Sequence, residues 1–463
     1  MPRKTFRKTL YLENLGCAKN QVDGEALVSV LLDRGWLLAD TPDEAGLIIV
    51  NTCGFIEAAR KESINSIMDF RRRYPRAKII AAGCLSERYA EELAEQLYEA
   101  NGIFGNRDLA RIADFAESLC RETSPKTPYT GRLSATHGGR LLLPVDYADT
   151  PPRKKVFSPP GCVYIKAAEG CDNACAYCAI PRIRGRLRSR SAESIAAEVK
   201  DFLAQGITEF NLVAQDLGSW GRDFSPPANL PALLSAILDI PGDFRLRLLY
   251  IHPEHFPREA LALCRGDARL LQYFDLPFQH ASGRVLAAMG RKWSAAENLA
   301  LVRGIRQALP DAVIRSTFLV GFPGETDEDF QALRDFQEKA AFDWLGCFAY
   351  SAEEDTPAYA LHGKKGMRVY KRIAAARKRS IEEAQIPITE KRLGRFVGTQ
   401  AELLVEENVG GEKLALARAW FQAPEVDGLT VIATDTPLAP GTRVMAKITR
   451  QNGFDLEAVI VEK

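Results

Sequence analysis

Cys171, Cys175 and Cys178 fall within eight positions, in the stretch Glu169-Gly170-Cys171-Asp172-Asn173-Ala174-Cys175-Ala176-Tyr177-Cys178. The spacing C-x-x-x-C-x-x-C lets three thiolates converge on one metal centre. With no fourth cysteine nearby, one iron of a cubic iron-sulfur cluster is left without a protein ligand. An open iron is a place for chemistry, so the fold must deliver this loop to an enclosed position. The chain of 463 residues is 46% hydrophobic and 26% charged, which suits about two to four packed domains. Its basic start lacks a signal-peptide pattern, and no apolar run reaches the length of about 18 that spans a membrane. A cytoplasmic location without membrane attachment is expected. In that reducing setting, closely spaced cysteines bind metal or react rather than form disulfides.

Lysine and arginine total 61 against 60 for aspartate and glutamate, which excludes a general affinity for polyanions. Distribution says more. Between 151 and 190, nine basic residues stand against only Glu169 and Asp172. This run reads either as a solvated face or as a surface steering an anionic partner such as RNA or the ribosome.

From Lys8 to about Cys120, strand-like runs at Leu10 to Asn14, Leu47 to Asn51 and Lys78 to Ala82 are each followed by a helical pattern, which predicts a parallel sheet covered by helices. Each run also leads into a cysteine: Cys17, Cys53 and Cys84. Strand carboxyl ends lie along one edge of such a sheet, so three cysteines far apart in sequence can meet there. Gly16, Gly54 and Gly83 beside them suit tight loops that approach a cluster closely.

Residues 121 to 160 are rich in Pro, Thr, Gly and charge and read as a connector. Beyond it, six strand candidates alternate with helices: Val163 to Ala167, Glu209 to Ala214, Leu246 to Ile251, Tyr273 to Leu276, Val313 to Val320 and Trp344 to Ala349. Repeated βα units predict a complete or partial barrel, whose chemistry gathers at the strand carboxyl ends. The Cys171 loop follows the first of these strands. Gln215 and Asp216, His252 and His255, Gln279 and His280, and the turn Gly321 to Thr326 follow later ones. A basic helical connector is expected over Lys364 to Arg395. After Phe396, five short alternating runs predict a small all-β barrel of oligonucleotide-binding type. Six basic against ten acidic residues from 396 to 463 give it a charge near minus four, better matched to a basic protein than to a phosphate backbone.

The Cys171, Cys175 and Cys178 motif in its barrel resembles the radical S-adenosylmethionine superfamily. The whole chain from about Lys8 is similar to that superfamily's methylthiotransferase branch. The words Leu15-Gly-Cys-Ala-Lys-Asn-Gln-Val-Asp-Gly-Glu25, Asn51-Thr-Cys-Gly-Phe-Ile56 and Ala423-Pro-Glu-Val-Asp-Gly428 look like its RimO type, which modifies an aspartate of the twelfth small-subunit ribosomal protein. Two departures stand out: Gly24, where a serine is common, and Cys162, an extra thiol on the first barrel strand.

The resemblance implies an α/β multidomain chain: an N-terminal parallel α/β cluster domain over 1–125, a linker over 126–155, a radical S-adenosylmethionine partial TIM barrel over 156–385, and a five-stranded antiparallel TRAM barrel over 396–463. It implies two 4Fe-4S clusters, one on Cys171, Cys175 and Cys178 and an auxiliary one on Cys17, Cys53 and Cys84. It also implies contacts to S-adenosylmethionine from Tyr177, Gln215, Ser316, Thr317, Gly321 and Gly324. The implied reaction replaces a C–H on the aspartate β-carbon by S–CH3. That hydrogen is barely acidic, so a radical rather than a base has to remove it. Implied partners are the basic ribosomal protein, free or on the ribosome, and an electron donor such as flavodoxin or ferredoxin. A tRNA adenosine methylthiotransferase and a non-catalytic iron-sulfur redox or ribosome-binding protein are the alternatives.

Overall fold

A computed structural model describes residues 8–121, 140–144 and 148–461. The chain divides into two compact units, Met1–Phe157 with Ala179–Arg186, and Ser158–Cys178 with Leu187–Lys463. Much of the expected linker, 122–139 and 145–147, lies outside the described residues, as do 1–7 of the basic start.

The first unit is built on a six-stranded sheet in the order Leu37–Leu38, Thr9–Asn14, Leu47–Thr52, Lys78–Gly83, Gly102–Phe104, Leu141–Leu142, parallel at every pairing. The three strands expected from the sequence are its centre. Leu47–Thr52 is buried along its whole length, as a strand covered on both faces must be. Its two faces feed separate cores, Ile49 with Leu27, Leu31 and Phe115, and Ile48 and Val50 with Ile67, Ile79 and Leu85. The outer strands are two or three residues long, too short to show an alternating pattern in the sequence. Leu141–Leu142 falls inside the stretch expected to be linker. Further along that stretch, the Arg153 guanidinium pairs with Glu25 in full burial, and Phe157 N–H donates to the same carboxylate at 2.9 Å.

The second unit carries six parallel strands, Cys162–Lys166, Glu209–Val213, Arg245–Leu248, Leu270–Asp275, Val313–Val320 and Trp344–Ala349, side by side in chain order. The sheet stays open between first and last, so the barrel is partial. Helices such as Ala192–Ala204, capped by Ser191, and Ala295–Ala308, with a Ser294/Glu297 capping box, alternate with these strands as expected. The long basic helix is Lys371–Leu393, and its Arg377 is buried against Glu325 at 2.8 Å rather than solvated.

In the same unit, Gln400–Asn408, Leu414–Ala419, Thr430–Ala433, Arg443–Asn452 and Asp455–Ile460 close into a five-stranded barrel. Four of its seams are antiparallel as expected, and the fifth, Thr430–Ala433 with Asp455–Ile460, is parallel. The word Ala423 to Gly428 fastens this barrel to the larger one. Asp427 accepts from Tyr273 Oη at 2.7 Å and from Ala423 N–H at 2.8 Å, while Glu425 accepts from Tyr164 Oη at 3.1 Å. Burial pushes the Asp427 carboxyl up to about 6, against the pull of Arg315.

Among the described residues no helix is long and apolar enough to cross a membrane. At position 428 a β-carbon would stand 2.1 Å from the Phe454 carbonyl oxygen, inside any allowed contact. Gly428→Ala should therefore cost about 1–3 kcal/mol of stability by forcing the backbone apart, read as a lowered midpoint in denaturant unfolding of the full chain.

Candidate functional site

In the first unit, Thr9–Asn14 and Leu47–Thr52 are neighbours in the sheet but successive elements run away from them in opposite directions. That makes their carboxyl ends the switch point where open parallel sheets bind ligands. Cys17 follows the first strand as N-cap of helix Ala18–Asp33, Cys53 follows the second, and Cys84 opens the helix Cys84–Arg88 directly after the adjacent strand. The thiols are close enough for Cys84 to feel the charge of both Cys17 and Cys53, and for Cys53 to feel that of Cys17. A β-carbon on Gly16 would lie 3.2 Å from Cys53 Sγ, and one on Gly54 would strike the backbone of Leu85 at 2.7 Å, so both glycines are needed for this approach.

Asparagines tie the loops together. Asn20 Nδ2 donates to the carbonyls of Leu15, Asn51 and Thr52, and Asn51 Nδ2 donates to Asn14 Oδ1 at 2.7 Å and Asn20 O at 2.6 Å. Gly24 sits over this bridge, where a β-carbon would come within 2.7 Å of Asn14 Oδ1. The glycine therefore suits this chain's packing and touches none of the thiols.

The residues after Cys178 also belong to this unit. Ala179 and Ile183 form a small core with Cys84, and Arg184 Nη2 donates to Cys84 Sγ at 3.2 Å. Arg184 was noticeable in the sequence only as one of nine basic residues; nothing in the pattern points it at a sulfur. Burial pushes the Cys84 thiol up to about 12, with Arg184 opposing, and also raises Cys53. Cys17 is open to water yet surrounded by enough protein for desolvation to raise its thiol. Lys19, Arg184 and the helix-start N–H groups outweigh that effect and bring it below the ordinary range.

In the second unit, the Cys171 loop is held at the strand carboxyl ends by both backbone and side chains. Ala176 N–H donates to Met289 O, and Ala358 N–H donates to Ala176 O. Gly290, in the left-handed region at φ +77°, leaves no room for a β-carbon beside the Ala174 carbonyl. Asn173 N–H donates to Cys171 Sγ at 3.4 Å, and Asn173 Nδ2 donates to Asp216 Oδ2 at 2.8 Å. Asp216 also meets Ser219 and His255 Nδ1, at 2.7 and 2.6 Å. Burial works against its ionisation, yet these partners hold its carboxyl well below the usual range. Burial raises the Cys171 thiol to about 11.

Gln215, which follows the second strand, has both amide atoms shut off from water with no hydrogen-bond partner among the described residues. His280 Nε2 likewise makes no hydrogen bond, with Glu325 Oε2 at 3.7 Å, and burial lowers its pKa to about 4, so the ring is neutral near pH 7. Buried polar atoms left in this state fit a bound polar ligand. The other expected contacts are already engaged. Tyr177 Oη accepts from Arg291 at 2.8 Å, and Ser316 Oγ donates to Leu276 O at 2.9 Å, with Thr317 alternating onto the opposite face. Gly321 and Gly324 have positive φ, and their side-chain positions are covered by Ala374 and Met367. Cys162, on the amino-terminal half of its strand, accepts from Asn211 Nδ2 at 3.1 Å and is structural. A cleft lined by Arg245, Leu270, Arg418 and Trp420 opens at that same amino-terminal edge, away from the loop of Cys171, Cys175 and Cys178.

Among the described residues, no three of His, Cys, Asp and Glu are closed to the spacing of ligands on a single ion. The thiols of a cubic cluster bind different irons and stand wider apart. Sulfur-only trios, one on a single strand-end loop and one gathered from three, with glycines allowing close approach, fit such clusters better than a hard cation.

Family models match in three segments: the uncharacterized protein family UPF0004 over residues 9–105, the Radical SAM superfamily over 165–336 and the TRAM domain over 397–461. The chain is 44% identical to the ribosomal protein uS12 methylthiotransferase RimO of Treponema denticola, over 96% of this chain and 99% of the relative. It is 41% identical to that of Desulfosudis oleivorans, over 96% and 98%. Among solved structures it is similar to the radical S-adenosylmethionine methyltransferase TsrM of Kitasatospora setae, with a TM-score of 0.54 at 15% identity over 82% of this chain and 89% of that one. That likeness concerns the fold.

Thiol reactivity tests the electrostatics directly. In metal-free protein, alkylation followed by mass mapping from about pH 7 to about pH 9 should modify Cys17 well before Cys84. Equal rates at the two positions would contradict the charge pattern described.

Proposed function

The chain belongs to the ribosomal protein uS12 methylthiotransferase family, RimO, and from that premise we propose that it replaces a hydrogen on the β-carbon of a uS12 aspartate by a methylthio group. The observation that carries this reading is the nearly full-length match to such enzymes. The two cysteine trios, each at the carboxyl ends of parallel strands, support it.

We assign Cys171, Cys175 and Cys178 to one 4Fe-4S cluster and Cys17, Cys53 and Cys84 to the other. When bound, the clusters and S-adenosylmethionine supply the radical, the sulfur and the methyl group. The protein's share is to bind, orient and keep dry. Asp216 steadies the Cys171 loop through Asn173. The unpartnered Gln215 amide and neutral His280 are available to polar parts of S-adenosylmethionine. Ser316, Thr317, Gly321 and Gly324 contribute through backbone position, because the Ser316 hydroxyl and the space beside the two glycines are already taken. Tyr177, Ala176, Phe322 and Leu319 form an apolar cluster next to the loop that helps exclude water.

A protein substrate fits better than tRNA. Of the basic run from 151 to 190, Arg153, Lys166, Arg184 and Arg190 are paired with Glu25, Glu169, Asp23 and Glu198, which leaves fewer cations for a phosphate backbone. A ribosomal protein substrate implies work in the cytoplasm, on uS12 free or in the ribosome, with flavodoxin or ferredoxin as electron donor.

The test is reconstituted protein given a reductant, S-adenosylmethionine and either a uS12 loop peptide or tRNA. The peptide should gain about 46 Da, with 5′-deoxyadenosine formed alongside. Cys17→Ala/Cys53→Ala/Cys84→Ala should still form 5′-deoxyadenosine but leave the peptide unmodified. A gain on tRNA alone would replace the substrate reading, and no 5′-deoxyadenosine from wild type would end the radical reading.

A further inference from the structure

Arg184 is 3% exposed and has three neighbours that together point to a role beyond packing. Nη1 is 2.7 Å from Asp23 Oδ2, while Nη2 lies 3.2 Å from Cys84 Sγ and 3.3 Å from Asn20 Oδ1. A buried arginine needs a carboxylate to balance its charge, and Asp23 supplies one. That pairing does not require the second arm of the guanidinium to face a sulfur. Asn20, which that arm also meets, is the side chain that ties the Cys17 and Cys53 loops together. The planar fork therefore links the third thiol to the frame that holds the other two. Burial keeps water from screening the charge, and a guanidinium does not lose its proton, so the field on the three sulfurs is permanent.

We propose that Arg184 is a positioning residue for the centre on Cys17, Cys53 and Cys84, holding the Cys84 sulfur by a charge-assisted hydrogen bond and making that centre easier to reduce. The proposal rests on the assignment of these cysteines as cluster ligands. Hydrogen bonds to ligand sulfurs and nearby positive charge both stabilise the reduced, more negative cluster. Asp23 offsets part of the guanidinium's charge, so its removal should act in the opposite sense. A purely structural ion pair would not produce opposite signs, since breaking it from either side disturbs the same fold.

The experiment uses the full chain with Cys171, Cys175 and Cys178 changed to alanine, so that iron binds only at the second centre. Dithionite titration followed by electron paramagnetic resonance gives its midpoint potential. Arg184→Gln should move that potential negative, Arg184→Lys should move it less, and Asp23→Asn should move it positive. An unmoved potential in Arg184→Gln, or shifts of the same sign in the Arg184→Gln and Asp23→Asn variants, would overturn the inference. If Arg184→Gln does not fold, Arg184→Lys decides, and a potential that stays put or moves positive overturns it. A parent protein without iron would overturn the ligand assignment and this inference together, whereas iron with an insensitive potential overturns this inference only.

Discussion

The arrangement of the first unit depends on the parallel, in-register pairing of three strands. Leu10 pairs with Leu47, Leu47 with Lys78, and Asn51 with both Asn14 and Ala82. Because the strands run the same way and end level, the loops that follow them leave from one edge. Cys17, Cys53 and Cys84 are thus brought together by hydrogen bonding far from the sulfurs. Asn14, Asn20 and Asn51 then satisfy the polar groups at those strand ends, so the loops are tied to one another by hydrogen bonds of their own. The second unit applies the same rule, with Asp216 in the tying role.

Much of this was legible in the sequence because the physical signals were local. Continuous apolar runs mark the buried strands, a cysteine follows each of three of them, and helical patterns separate the strands of both sheets. Five alternating runs marked the small barrel, although alternation cannot reveal strand direction, and so the parallel seam at Thr430–Ala433 was not foreseen. Strands of two or three residues, such as Gly102–Phe104, carry no period to detect. Arg184 was invisible for a different reason: its partners Asn20, Asp23 and Cys84 are distant in sequence, and only the fold joins them.

Charge was the least reliable guide. The basic run from 151 to 190 suggested a surface, yet Arg153, Lys166 and Arg184 are buried in ion pairs. The acidity of the small barrel is likewise partly spent internally, since Glu402 and Glu406 pair with arginines and Glu425 and Asp427 receive tyrosine hydroxyls. Its net charge of about minus four therefore overstates the field that a partner would meet outside. The preference for a protein substrate rests more firmly on the family match and on the paired state of the basic run.

We propose that one chain supports two independent open cluster sites, each made by three cysteines at parallel strand ends. Iron and acid-labile sulfide content of the reconstituted protein measures it most directly. About eight irons in wild type, falling to about four when either trio is replaced by alanine, is the result this account predicts. About four in wild type, or loss of all iron on replacing one trio, would contradict it.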